Sequence, residues 1–370
     1  MNPKRILHLH STFSLGGKEA RAVRLMNLFG DKARHTILSA APEWGAKAAI
    51  ASGIDVTFPD DAPSLQGKPS PFRYRAIARY MQNFDLVLSY NWGSMDGIGA
   101  HRLWSPFIKL PPIIHHEDGF NSDEAERLNP KRNMFRRLML PTAKAVVVPS
   151  QRLEKIAREV WEVPAAKLHR IPNGIDVGAY AAAPAPDAIA GFAKRDGDVV
   201  IGTLAGLRTV KNLPRLVRAF ATLPDHCRLV IVGEGPERDV IMAEAERLGV
   251  SNRVHMPGFI ANPHNYVGLF DIFALSSDSE QFPISLVEAM AAGLPAVSTD
   301  VGDVRNIVAD ANRDFVIPLG DDDGYASALK QLAEHAALRK AIGDANRTCA
   351  ADQYDEATMV DRYAALYGIA

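Results

Sequence analysis

Cysteine is almost missing from this chain of 370 residues; there are two, Cys227 and Cys349. Two thiols cannot build a disulfide framework, so a reducing cytosol is the expected compartment. Long apolar runs are missing too: no stretch approaches the ~20 residues that cross a bilayer. The first ten residues carry the charge of a secretion signal without its apolar segment. A cytoplasmic chain is expected, at most peripheral at the inner face of a membrane. Nor is there a charge excess, with 42 Lys and Arg against 43 Asp and Glu and a net charge of −1. That removes the global field on which nucleic-acid binding leans, so no nucleic-acid partner is expected. No internal repeat or sustained low-complexity tract is present.

What is present is a rhythm of short apolar runs alternating with helical patterns, which predicts an α/β fold with parallel sheets. In the first half the strand candidates are 5–10, 35–40, 55–58, 86–90, 112–116 and 145–149. Helical patterns lie at 19–29, 71–83, 131–140 and 151–160. A turn signal, Ile171-Pro-Asn-Gly-Ile-Asp176, and an Ala/Pro stretch at 180–187 then read as a linker. The rhythm restarts with strands at 199–204, 228–232, 254–256, 272–275, 296–299 and 315–318. Helices are expected at 213–222, at 237–248, after 283, and from 325 to the end. Two Rossmann-like doubly wound domains follow, 1–172 and 173–352, with ligands expected in a cleft at the carboxyl ends of the strands.

The most informative segment runs Ser279-Glu-Gln-Phe-Pro-Ile-Ser-Leu-Val-Glu288, then Ala-Met-Ala-Ala-Gly293-Leu-Pro295. Glu280 stands in a loop after a strand and Glu288 a turn or so inside the next helix. The backbone N–H groups around Pro283 to Leu286 are free to meet an anion at the helix start, which makes Phe282, Pro283 and Ile284 candidate binding residues. Acids in front of an anion site make sense when they serve another part of the same ligand, such as the hydroxyls of a nucleotide-sugar. The plainer reading is an amphipathic helix with acids favoured by its dipole. The whole register resembles the signature of glycosyltransferase family 4 (glycosyl transferases group 1), retaining enzymes of the GT-B fold. The family usually has Gly where this chain has Gln281. Pro172-Asn-Gly-Ile-Asp176 resembles the same family's interdomain transition. The resemblance implies that 353–370 form a helix returning to an acceptor-side N-terminal domain.

Other residues gain roles from that resemblance. Gly16 and Gly17 precede a helix and read locally as a phosphate-approaching loop or as a tight turn needing φ > 0; the family places this loop over donor phosphate or acceptor. Gly233, in Val232-Gly-Glu-Gly-Pro236, marks a strand-to-helix turn that lines the nucleotide pocket in the family, although the full Gly-x-Gly-x-x-Gly fingerprint is absent. Lys211 matches the family's diphosphate-gripping lysine. Gly206 stands where an Arg is usual, and Arg208 is the candidate to replace it; on its own this loop reads equally as surface charge. His115 is the first candidate for the family's histidine near the donor sugar, and His116 the second. Two adjacent histidines invite a metal, but neighbouring residues on a strand point opposite ways, so none is expected. Asp321, Asp322 and Asp323 read as a helix N-cap.

The activity implied is transfer of a sugar from a nucleoside diphosphate sugar, without a metal or other cofactor, to a carbohydrate or lipid-linked acceptor. Glu280, Lys211, Arg208 and His115 would be catalytic, with Glu288 on the ribose. Bacterial polysaccharide or glycolipid assembly is the expected setting. A glycoside phosphorylase of the same fold and a non-catalytic nucleotide-sugar-binding protein stay open. Lys131, Arg132, Arg136 and Arg137, around Met134 and Phe135, read as a solvated helix face or as a peripheral membrane contact.

Overall fold

The computed structural model describes residues 2–14, 16–119 and 128–369. It divides into two compact units, Met1–Pro172 with Thr358–Ala370, and Asn173–Ala357.

The first unit runs β1 (Lys4–His10), α1 (Gly17–Phe29), β2 (Ala33–Ser39), β3 (Val56–Thr57), α2 (Pro71–Met81), β4 (Leu86–Tyr90) and α3 (Met95–Trp104). It continues through β5 (Ile113–His116), α4 (Pro130–Met139), β6 (Ala145–Val148), α5 (Gln151–Glu159) and β7 (Leu168–Arg170). The strands form one parallel sheet in the order β3-β2-β1-β4-β5-β6-β7. Alternate side chains feed two cores, as strand geometry demands. In β1, Ile6 joins one core while Leu7 and Leu9 join the other.

Two elements of this unit escaped the sequence. α3 carries Gly97 and Gly99, which argue against a helix. Both are needed for close packing: a Cβ on Gly97 would lie 2.3 Å from Leu9, and one on Gly99 2.9 Å from the Tyr74 ring. Residues 95–104 therefore form a helix despite both glycines. β7 is short, half-exposed and ends against the turn at 171–176.

The second unit runs β8 (Val199–Leu204), α6 (Leu213–Ala221), β9 (Cys227–Val232), α7 (Arg238–Arg247), β10 (Val254–Gly258), β11 (Ile272–Leu275) and α8 (Ile284–Ala291). Then come β12 (Ala296–Thr299), α9 (Val304–Ile307), β13 (Val316–Ile317), α10 (Asp322–Glu334) and α11 (Ala336–Tyr354). Its parallel sheet is ordered β10-β9-β8-β11-β12-β13, again with a core on each face. The expected boundary at 352 falls inside α11, whose Tyr354 packs in this unit's core. Tyr180, assigned to a linker, is buried in the same core.

The last helix, α12 (Glu356–Tyr367), has Met359, Tyr363 and Tyr367 at four-residue spacing, all buried in the first unit's core. That stripe gives the chain a reason to rejoin the first unit.

Candidate active site

In the second unit the strand order reverses between β8 and β11, and the crevice outside their carboxyl ends is the natural ligand site. The loops leaving these strands bring Lys211 and Glu280 together. Lys211 Nζ donates to Glu280 Oε1 at 2.6 Å, and Ser277 Oγ donates to the same oxygen at 2.7 Å. Arg215 staples the two loops from beneath, donating to the Ser276 carbonyl (3.0 Å), Asp278 (2.8 Å) and Asp322 (2.8 Å). Asp321 caps α10 by accepting from the Gly324 N–H at 2.9 Å. Asp321 and Asp322 thus hold protein groups.

α8 begins beside this pair. Its N-cap is Pro283, which offers no side-chain hydrogen bond, so the first N–H groups lack an internal cap. Pro283 is buried, Ile284 sits at the surface, and Phe282 packs edge-on to Tyr354. Arg208 is exposed, and a Cβ at Gly206 would lie 3.8 Å from its Nε. The Arg208 guanidinium thus lies beside Gly206. Gln281 Oε1, in the loop before α8, is buried without a hydrogen-bond partner among the described residues.

Next to these groups lies a cavity of about 500 Å³ lined by Gly206, Gly233, Glu234, Phe259, Ile260 and Tyr266. Gly233 has φ +146°, and a Cβ there would stand 1.9 Å from the Ala205 carbonyl oxygen. Only glycine lets the loops after β8 and β9 nest this closely. Glu288 projects from α8 into a half-buried site with Tyr180 and Tyr266. Burial raises its carboxyl above the ordinary range, and a Tyr180 hydrogen bond opposes that shift.

The first unit has its own reversal point, between β1 and β4. Gly17 opens α1 and Gly16 is its N-cap at φ −137°, so the turn reading that needed positive φ does not apply. Lys18 Nζ donates to Ser11 Oγ at 3.1 Å and pairs with Glu19. Arg21 is buried and forms a bidentate pair with Asp118. Asn91 holds φ +55°, rare for a side-chain-bearing residue, and its Oδ1 accepts the Asp118 N–H at 2.8 Å.

His115 and His116 point to opposite faces of β5 and both are buried. His115 Nδ1 meets Ser89 Oγ at 2.9 Å, and its Nε2 is 3.6 Å from Glu117, which accepts from Arg136 Nε at 3.0 Å. His116 Nδ1 lies 3.2 Å from the Ser89 carbonyl, which can only accept. That nitrogen carries the proton, and the Tyr367 hydroxyl donates to Nε2 at 2.7 Å. Burial, then Arg21, pushes His116 well below the usual histidine range. Both rings are buried, and His115 Nε2 has no hydrogen-bond partner among the described residues, whereas Lys211 and Glu280 meet directly.

A second set of residues escaped the sequence. His8 Nε2 meets His35 Nδ1 at 2.9 Å, and His8 Nδ1 meets the Tyr90 hydroxyl at 3.1 Å. His10 is buried on Tyr90, ring centroids 4.2 Å apart. The alternation His8-Leu9-His10 was the available signal: it places both imidazoles on one face of β1. The basic helix also changes character. Arg136 is fully buried between Trp92 and Trp161, and Arg137 pairs with Glu162 at 2.5 Å. Among the described residues, no three His, Cys, Asp or Glu side chains gather as a metal site.

Comparison with known proteins adds a further line. Residues 186–348 match the family described as "Glycosyl transferases group 1", and residues 15–179 match "Glycosyltransferase Family 4". The phosphatidyl-myo-inositol mannosyltransferase of Mycolicibacterium smegmatis is 33% identical, over 88% of this chain and 83% of that protein. The putative glycosyltransferase EpsD of Bacillus subtilis is 32% identical over 47% of this chain, and the match spans about half (46%) of that protein's length. In three dimensions the chain resembles Anabaena HepE, solved with UDP, at a TM-score of 0.80 and 21% identity, covering 98% and 99% of the two chains. The lipopolysaccharide galactosyltransferase WaaB is similar at a TM-score of 0.73 and 17% identity, covering 98% and 99%. These two likenesses speak for a GT-B fold.

Proposed function

The chain belongs to the group 1, family 4 glycosyltransferases, and from that premise we propose that it transfers a sugar from a nucleoside diphosphate sugar to an acceptor hydroxyl with retention of configuration. The observation that carries this reading is the Lys211–Glu280 pair at 2.6 Å, set at the uncapped start of α8 and beside the 500 Å³ cavity.

In this mechanism the donor's diphosphate sits between Lys211, Arg208 and the first amides of α8. As the glycosidic bond lengthens, negative charge grows on the leaving phosphate, and these fixed positive groups stabilise it more in the transition state than in the ground state. Glu280 holds Lys211 in place and accepts from sugar hydroxyls. Glu288 accepts from the ribose, and the cavity bounded by Gly233 and Tyr266 takes the base. Gln281 Oε1 takes a hydroxyl or N–H of the transferred sugar, which narrows the range of donors. The acceptor attacks from the face the leaving group departs, and a donor phosphate oxygen takes its proton. Two protein cations supply the positive charge, so transfer is expected to persist in a chelator.

The acceptor is a carbohydrate or a lipid-linked glycan, in envelope polysaccharide or glycolipid assembly; the phospholipid acceptor in the name of the mycobacterial relative supports that class. Thermal-shift screening against UDP-, GDP- and ADP-sugars, with and without divalent cation, tests the donor. One nucleotide class should stabilise the wild type, and Glu288→Ala should lose that response along with transfer. A Glu288→Ala variant that binds and turns over donor normally would contradict the ribose role.

A further inference from the structure

Ser276 and Ser277 follow β11 and are both buried, but their hydroxyls serve different loops. Ser276 Oγ donates to the Lys211 carbonyl at 2.9 Å, which fixes the loop after β8. Ser277 Oγ donates instead to the Glu280 carboxylate, on the same oxygen, Oε1, that Lys211 Nζ holds. Among the described residues no hydrogen bond reaches Glu280 Oε2.

The backbone around these groups is pinned to β12. The Ser277 carbonyl accepts from Thr299 Oγ1 at 2.6 Å. Beyond β12, Gly302 closes on the Glu280 backbone at φ +60°, where a Cβ would stand 2.4 Å from the Glu280 carbonyl oxygen. With the main chain held on both sides, the freedom left at Glu280 is that of its side chain. Only Lys211 and Ser277 restrain that side chain by hydrogen bonds among the described residues.

The two donors respond differently to an incoming diphosphate. Lys211 is partly exposed and charged, and a diphosphate, more negative than a carboxylate, draws its ammonium away from Glu280. Glu280 then loses its counter-charge beside an anion that repels it. The Ser277 hydroxyl is neutral and buried, so the same field does not displace it. Its O–H···O⁻ bond of 2.7 Å is of the short, charge-assisted kind. We propose that Ser277 is a positioning residue, whose hydroxyl keeps Glu280 Oε1 in place when Lys211 turns to the diphosphate. Oε2 then stays available to the hydroxyls of the donor sugar. The inference rests on the donor reading above and adds to it the group that fixes the sugar-binding carboxylate.

The test is calorimetry of the full chain, wild type and Ser277→Ala, in two arms. One arm uses UDP, GDP and ADP; the other uses UDP-glucose, UDP-N-acetylglucosamine, GDP-mannose and ADP-glucose. Ser277→Ala should bind the preferred nucleoside diphosphate as wild type does, and its nucleotide-sugar about tenfold or more weakly. A role confined to folding would weaken both ligands alike. Equal affinity of the variant and the wild type for the nucleotide-sugar overturns the inference. So does an equal loss for both ligands, because Ser277 would then prop the whole loop rather than Glu280. A wild type that binds none of the nucleotides, or none of their sugars, overturns the donor reading itself, and the inference falls with it.

Discussion

The two reversal points of the two sheets make an instructive pair. Both sit at carboxyl ends of parallel strands, and both gather charged and polar side chains. In the second unit Lys211 is closed on Glu280, but Arg208 is exposed, α8 has no capping side chain, and a cavity adjoins them. In the first unit most are buried against one another, although both ring nitrogens of His10 and the Nε2 of His115 have no hydrogen-bond partner among the described residues. Arg21 is paired with Asp118, His116 is held by Tyr367, and His8 is held by His35 and Tyr90. One unit keeps an exposed arginine and an uncapped helix start beside a cavity, and the other buries its charged and polar groups in pairs and stacks. The fold alone therefore does not say which crevice takes the anion of the proposed donor.

The sharpest way to break this contrast is Lys211→Met. Transfer should fall about 10²–10³-fold, the scale of removing one preorganised charge-stabilising donor. All four tryptophans (Trp44, Trp92, Trp104 and Trp161) lie in the first unit, so the variant's tryptophan-monitored melting should not move. Gly233→Ala comes next. Its Cβ would overlap the Ala205 carbonyl in a positive-φ conformation, which should cost on the order of 4 kcal/mol, strain and overlap together. The loss should appear in the second unit, as a circular-dichroism transition separating from the tryptophan one.

Acid should reverse the order. Burial holds His35 at about 4 and His8, His10 and His116 well below the ordinary range. An unfolded histidine takes up a proton near pH 6.5, whereas these rings stay neutral when folded. Between those values the unfolded chain binds more protons, so stability is full above pH 6.5 and drains as pH falls. His35 alone accounts for about 3 kcal/mol by pH 4. Tryptophan emission should report unfolding of the first unit at a higher pH than the second unit's helical signal is lost. Tyr367→Phe is the mildest change. It leaves His116 Nε2 buried without its donor and should lower the first unit's stability by about 1–3 kcal/mol. Second-unit nucleotide binding should be untouched.

Legibility in the sequence follows the same divide. The second unit's site is written in contiguous strings, 206–211 and 280–288, because a strand, a turn and a helix start deliver each group locally. Its six strands were legible for the same reason. In the first unit the decisive contacts are remote, His116 and Tyr367 being 251 residues apart. No local pattern announces such a pair. α3 was hidden by glycines that serve packing against Leu9 and Tyr74. Arg136 looked like surface charge because sequence cannot show that Glu117, nineteen residues earlier, waits in the core to pair with it.

The central claim is that a diphosphate binds at the second unit's crevice. A crystal structure of the chain with a nucleoside diphosphate tests it most directly. The phosphates should lie within hydrogen-bonding reach of Lys211 Nζ, the Arg208 guanidinium and the amides at 284 and 285, with the base between Gly233 and Tyr266. A ligand bound at the β1–β4 crevice instead, with Lys211 and Glu280 still closed on each other, would contradict the account.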